Sequence, residues 1–142
     1  MKYKKMNNSS PCHCLNIRRA SQNLTEIYGN YLKDTGLSVS QYSILNHLKL
    51  FEPISVSDLA KKMRLDRTTV VRNLKPLEDK CFVEDISKKN ARNRKLKLTE
   101  LGIKIHKKGT RSWIDAQKYI ETHLGKENLE ILSTLLNKVE SI

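Results

Sequence analysis

A chain of 142 residues with a formal charge of +12 is one domain's worth of protein with a surplus of cations to place. Its 38% hydrophobic content is enough for a core, but no run approaches a membrane span and no apolar signal-peptide core precedes Cys12. Three cysteines, an odd number, argue against a disulfide framework and for a reducing compartment, so a cytoplasmic location is expected.

Residues 1–11 are polar, with Asn-Asn-Ser-Ser ahead of Pro11, and are expected to form a flexible N-terminal arm. Cys12-His13-Cys14 then opens a first long helix. Ile17, Ala20, Leu24, Ile27, Tyr28 and Tyr31 keep helical spacing until about Gly36. Ser38 with Gln41 makes a capping box for a second, shorter helix carrying Ile44, Leu45, Leu48 and Phe51, which Pro53 closes. Ser38, Ser40 and Gln41 could meet a phosphate at that helix start, and capping alone explains them equally well.

The charge is uneven. Residues 53–112 hold 17 Lys or Arg against 7 Asp or Glu, so +10 of the +12 lies there. Within this stretch Val56, Leu59, Ala60 and Met63 fall on one helical face, and Ser55 with Asp58 gives a capping pattern at its start. After a break at Arg64-Leu65, Asp66 is a good N-cap for a helix running to about Lys80. Val70, Leu74 and Leu77, with Val71 on the flank, are expected to bury. Thr68, Thr69, Arg72 and Lys75 point the other way, and Asn73 sits on the edge. Hydroxyls, an amide and cations on one face suit base edges and phosphates. Pro76 forfeits one helical hydrogen bond, late enough in the helix to be tolerated. Cys81, beside Phe82, is expected to be buried.

A hairpin follows, Phe82–Ser87 pairing with a strand in which Leu96 and Leu98 alternate with Lys95 and Lys97. Its tip, residues 88–94, carries four cations in seven residues and suits a phosphate backbone or a minor groove. From Thr99 the pattern is helical again, with Gly102 and Gly109 as weak points. Trp113, Ala116, Ile120 and Leu124 form a stripe that Gly125 interrupts, and Leu129, Leu132, Leu135, Leu136 and Val139 form a last amphipathic helix. These terminal helices hold more apolar surface than a small reading head could cover. A heptad coiled coil is the runner-up for these helices, but about two heptads is short for the sustained pattern one needs.

Other chemistry finds little support. There is no glycine-rich phosphate loop, no HExxH and no nucleophile elbow, so an enzyme is not expected. His47, His106 and His123 are isolated. Cys12-His13-Cys14 fans out around a helix and lacks a fourth ligand, so neither a metal nor a cofactor is expected. No basic segment pairs its charge with a broad Trp/Phe/Leu face, which argues against a membrane partner.

The Asp66-Arg67-Thr68-Thr69 turn, the hairpin ending Ala91-Arg92-Asn93-Arg94 and the exit Leu98-Thr99-Glu100-Leu101-Gly102 resemble the MarR family of bacterial transcription regulators. The likeness covers nearly the whole chain from Cys14 onward. The chain departs from the family pattern at Arg64 and Cys81, both common glycine positions, and at Asn90, where an aspartate is frequent.

The resemblance implies a mainly α, winged helix-turn-helix fold, with a small antiparallel β wing and terminal helices forming a dimerisation region. Residues 37–111 would form the DNA-binding region, and 12–36 with 112–142 the helical dimerisation region. The expected function is a sequence-specific transcription regulator, a repressor acting as a homodimer on a pseudo-palindromic operator in double-stranded DNA. Thr68, Thr69, Arg72 and Asn73 would reach bases, and Arg67 and Lys75 would hold the backbone. Arg92 and Arg94 would be wing contacts, Arg94 the groove residue, with Lys88 and Lys89 on phosphate. The dimer interface would include Ile17, Leu24, Tyr28, Ile120, Leu124, Leu129, Leu132 and Leu136. Two alternatives stand beside this reading. One is a nonspecific architectural DNA binder. The other is a thiol-based redox-sensing regulator using Cys14, with Cys12 as resolving thiol, so that the effector is an oxidant rather than another small molecule.

Overall fold

The structure, a computed structural model, describes residues 9–142, so most of the expected N-terminal arm lies outside the described residues. The first helix, α1, spans His13–Leu32 and passes into a single 3-10 turn, Lys33–Thr35. Gly36 ends it at φ 73°, a left-handed conformation that costs glycine nothing. α2 (Val39–Phe51) opens on the capping box: Ser38 Oγ accepts the Gln41 N–H at 3.1 Å and Gln41 Oε1 accepts the Ser38 N–H at 3.0 Å.

α3 (Val56–Met63) starts where Ser55 Oγ accepts the Asp58 N–H at 3.1 Å. It ends at Arg64, held left-handed at φ 55°. α4 (Arg67–Asp79) is capped by Asp66, whose Oδ1 accepts the Thr69 N–H at 2.6 Å. The helix runs through Pro76 for nearly another turn, as its late position allows.

β1 (Val83–Asp85) and β2 (Leu96–Leu98) pair antiparallel, Val83 opposite Leu98 and Asp85 opposite Leu96. Ile54, just before α3, exchanges two further backbone bonds with Leu96, at 2.8 and 3.1 Å. The paired part of the hairpin, Val83–Asp85, is shorter than the expected run Phe82–Ser87: beyond Asp85 the Ser87 and Lys95 N–H groups turn to the Asp85 carboxylate.

These elements share one core. Ile44, Leu45 and Leu48 of α2 meet Leu59 of α3, Val70, Leu74 and Leu77 of α4, and Val83, Leu96 and Leu98 of the wing, all 4% exposed or less. Burying ten such side chains at about 1.5–3 kcal/mol each is what holds the reading head together. Glu52 closes the seam, its carboxylate accepting the Leu98 N–H at 2.8 Å.

Three expectations require correction. Val71 is 41% exposed instead of buried, because Val70, Leu74 and Leu77 already fill the face against the core. Cys81 is also exposed: it sits left-handed at φ 61° in the turn after α4, between the buried Leu77 and Val83. Gly102 and Gly109 are not weak points. α5 (Glu100–Leu124) runs unbroken through both, and each glycine permits a close approach. A Cβ at Gly102 would lie 2.0 Å from the Phe82 carbonyl oxygen, and one at Gly109 would lie 2.8 Å from the Tyr42 ring.

α5 carries the chain straight from the wing exit into the terminal region and packs along α1. There the Tyr28 hydroxyl donates to Gln117 Oε1, and the rings of Tyr31 and Tyr119 lie 6.0 Å apart. Gly125, at φ 80°, turns the chain into α6 (Lys126–Glu140), on which no residue is buried. The fold is mainly α with a small antiparallel wing, and it is a winged helix-turn-helix.

Candidate nucleic-acid interface

α4 is the second helix of the pair, and its polar side faces outward. Arg67, Thr68, Arg72 and Lys75 are exposed, while Thr69 and Asn73 are half-buried. Several of these groups are already engaged. Asn73 Nδ2 donates to the Thr69 carbonyl at 3.0 Å, and Lys75 pairs with Asp79 one turn on at 2.9 Å. Both Lys75 and Asp79 are well exposed, so the pair adds little to stability and can open to a phosphate. The cap itself is acidic: the Thr69 N–H, the Thr69 side chain and, more weakly, the charge of Arg72 hold the Asp66 carboxyl below its ordinary range.

The wing is braced against this helix. Arg94 reaches back from the end of the tip, Nη2 to Glu78 Oε1 in the last turn of α4 at 2.5 Å and Nε to Asp85 Oδ2 on β1 at 3.3 Å. Asp85 also accepts the N–H groups of Ser87 at 2.9 Å and Lys95 at 3.2 Å. Its carboxyl is pushed down to about 2, first by the Ser87 side chain and backbone, then by Lys95 and Arg94. One guanidinium therefore ties the recognition helix to the wing. Asn90, at φ 73°, shapes the tip beyond it. Among the described residues, the exposed side chains of Lys88, Lys89 and Arg92 have no hydrogen bond or ion pair within the chain.

The sequence did not point to Glu78 and Asp85 as the partners of Arg94. No spacing rule links the end of a helix to a hairpin tip 16 residues later. Val71 was within reach of the periodicity, which sets it between the buried and polar faces, and its exposure decides the side.

The remaining candidates lie in the terminal region. Cys14 and Cys12 are both exposed, Cys14 in the first turn of α1 and Cys12 just ahead of it. Leu24, Tyr28, Ile120 and Leu129 are half-buried, whereas Ile17, Leu124, Leu132 and Leu136 are exposed in the single chain. No group of three or more potential metal ligands occurs among the described residues. His106 is a packing histidine: it stacks on Tyr42 with ring centres 5.8 Å apart, and its Nε2–H donates to Asn46 Oδ1 at 3.0 Å. No helix among the described residues is long and apolar enough to cross a membrane.

Comparison with known proteins points the same way as the geometry. The model of the MarR family matches residues 37–97. Over 128 residues the chain is 30% identical to the HTH-type transcriptional regulator SarZ of Staphylococcus aureus (strain MRSA252), covering 89% of this chain and 85% of that protein. SarZ of Staphylococcus haemolyticus is 28% identical over 129 residues, 90% of this chain and 86% of the relative. Among solved structures, the M. tuberculosis transcriptional regulator MosR in complex with DNA is 26% identical with a TM-score of 0.77, covering 92% of this chain and 97% of that one. The S. aureus MepR–DNA complex, 21% identical, shares the fold with a TM-score of 0.81 over 93% of this chain and 98% of its own.

Proposed function

This chain belongs to the MarR family of DNA-binding transcription regulators and is not an enzyme, and from that premise we propose that it is a homodimeric repressor of a pseudo-palindromic operator in double-stranded DNA. The observation that carries the reading is the pairing of two exposed basic surfaces by one brace. The outer face of α4 and the wing tip with Lys88, Lys89 and Arg92 are held together by Arg94 on Glu78 and Asp85. A helix in the major groove with a wing on the flanking backbone uses both surfaces at once.

Within that reading Thr68, Thr69, Arg72 and Asn73 reach bases, Arg72 by forking onto a guanine. Arg67, Lys75, Lys88 and Lys89 hold phosphates. Arg92 enters the minor groove in place of Arg94, because Arg92 is exposed and unpaired whereas Arg94 is engaged by two carboxylates. A narrow minor groove attracts such an uncommitted arginine.

The second copy is called for by α6. Ile131, Leu132, Leu135, Leu136 and Val139 are all at least 36% exposed, on a helix with nothing buried. A face of that size on a soluble protein marks an interface, and a second copy of the same helix with α1 and the end of α5 fits it. In that arrangement two recognition helices stand about 34 Å apart, one turn of DNA. An effector acting through Cys14 would modify the interface helix itself, since the exposed thiol sits in the first turn of α1. Operator binding by the wild type and Cys14→Ser, before and after a stoichiometric organic hydroperoxide, tests that route, which requires release of the wild type alone.

The central test is base preference. Arg72→Ala is expected to cost about 1–3 kcal/mol on the selected site and relax one base position, whereas Lys89→Ala weakens binding to every sequence alike. Two variants that lose affinity equally on all sequences would leave only a nonspecific DNA binder.

A further inference from the structure

Val71 is an apolar side chain in the wrong place for a helix that only packs and carries charge. It is the fifth residue of α4 and 41% exposed. One turn earlier on the same surface stand Arg67 and Thr68, and one turn later Lys75, all exposed. The core has no use for it, because Val70, Leu74 and Leu77 are each 1% exposed or less without it. Propensity does not ask for it either, since β-branched side chains lose freedom in a helix.

Its position is the N-terminal half of the recognition helix, the part that meets base edges in this docking plan. The major groove presents one apolar feature among its donors and acceptors, the C5-methyl group of thymine. An isopropyl group surrounded by two cations and a hydroxyl is a match for that feature, with the cations on the flanking phosphates.

We propose that Val71 is a specificity-determining residue that packs on the C5-methyl of a thymine in each recognition element. The inference rests on the sequence-specific reading above and assigns a base to one residue of that interface.

The test starts from a random-sequence DNA duplex pool carried through selection with the full-length wild type. The enriched duplex is then remade with each thymine replaced singly by 2′-deoxyuridine, which removes only the methyl. For the wild type, one thymine position is expected to lose about four-fold in affinity on losing its methyl, the worth of one buried methyl group. Val71→Ala, which keeps the helix and removes the γ-methyls, should bind the thymine and uridine duplexes equally at that position. It should still discriminate the base read by Arg72. A wild type indifferent to every such replacement overturns the proposal, as does a methyl effect that persists in Val71→Ala. A pool that enriches no sequence overturns it too, by removing the sequence-specific reading; that failure is recognisable because Arg72→Ala then changes no preference either.

Discussion

Among the described residues, Arg64, Cys81 and Asn90 occupy left-handed positions not given to glycine, at φ 55°, 61° and 73°. Arg64 ends α3, Cys81 sits in the turn after α4, and Asn90 lies within the wing tip. The backbone needs a left-handed residue there whatever the side chain, and asparagine tolerates it best. Gly102 shows the opposite case, a glycine required for space alone. Because its missing Cβ would meet a backbone carbonyl, Gly102→Ala is expected to destabilise the protein by about 3 kcal/mol, read as a lower urea midpoint at unchanged slope. His106 adds a pH dependence. Burial first, then the charge of Lys49, lower its pKa from the ordinary value, with Glu52 opposing. The folded state thus favours the neutral ring. That contribution is fully present above the unfolded value of about 6.5 and is lost as pH falls through it towards the lower folded value. Between about pH 7.5 and 5.5 the melting temperature of the wild type should therefore fall more steeply than that of His106→Gln, and equal slopes would contradict the assignment.

At the scale of elements, the wing tip is tied to α4 and β1 by the Arg94 brace. Asp85, at about 2 against an ordinary 3.8, contributes its stabilisation fully at neutral pH and loses it only as pH falls from about 3.8 through 2. The contribution of Asp85 is therefore constant in the working range. Arg94→Met frees Glu78 and Asp85 and should lower affinity for DNA without changing the salt slope, because no phosphate contact is lost. Arg92→Ala should lower affinity and reduce the slope of log affinity against log salt by about one unit. A lysine at 94 should rescue poorly, since one ammonium lacks the fork that reaches two carboxylates. Titrations at several salt concentrations separate the two roles.

At the scale of the molecule, the chain is a reading head with a long exit helix and an uncovered end. α6 contributes no buried residue, so a chain ending at Gly125 should keep the core of the head and melt as a folded protein. On the proposed homodimer it should also sediment as a monomer and lose tight binding, because two linked half-sites would become one. A truncated protein that remained dimeric would move the interface off α6. The exposed Arg64–Glu140 ion pair joins the head to the end of α6, and contributes little by itself.

The sequence alone determined whatever depends on local spacing. Ser38 and Asp66 lie next to the helices they cap, Val70, Leu74 and Leu77 repeat along one face, and the alternation of Leu96 and Leu98 defines the wing's inner side. The helix-turn-helix and its family likeness follow from such short-range patterns. Only the tertiary structure decided what depends on residues far apart in the chain. Arg94 became a brace because Glu78 and Asp85 come within its reach, and Gly102 became a contact because Phe82 lies against it. Val71 turned outward once its neighbours had filled the core. Periodicity gives the direction of a side chain about its own helix axis, but what stands opposite is set by how the helices and the wing pack.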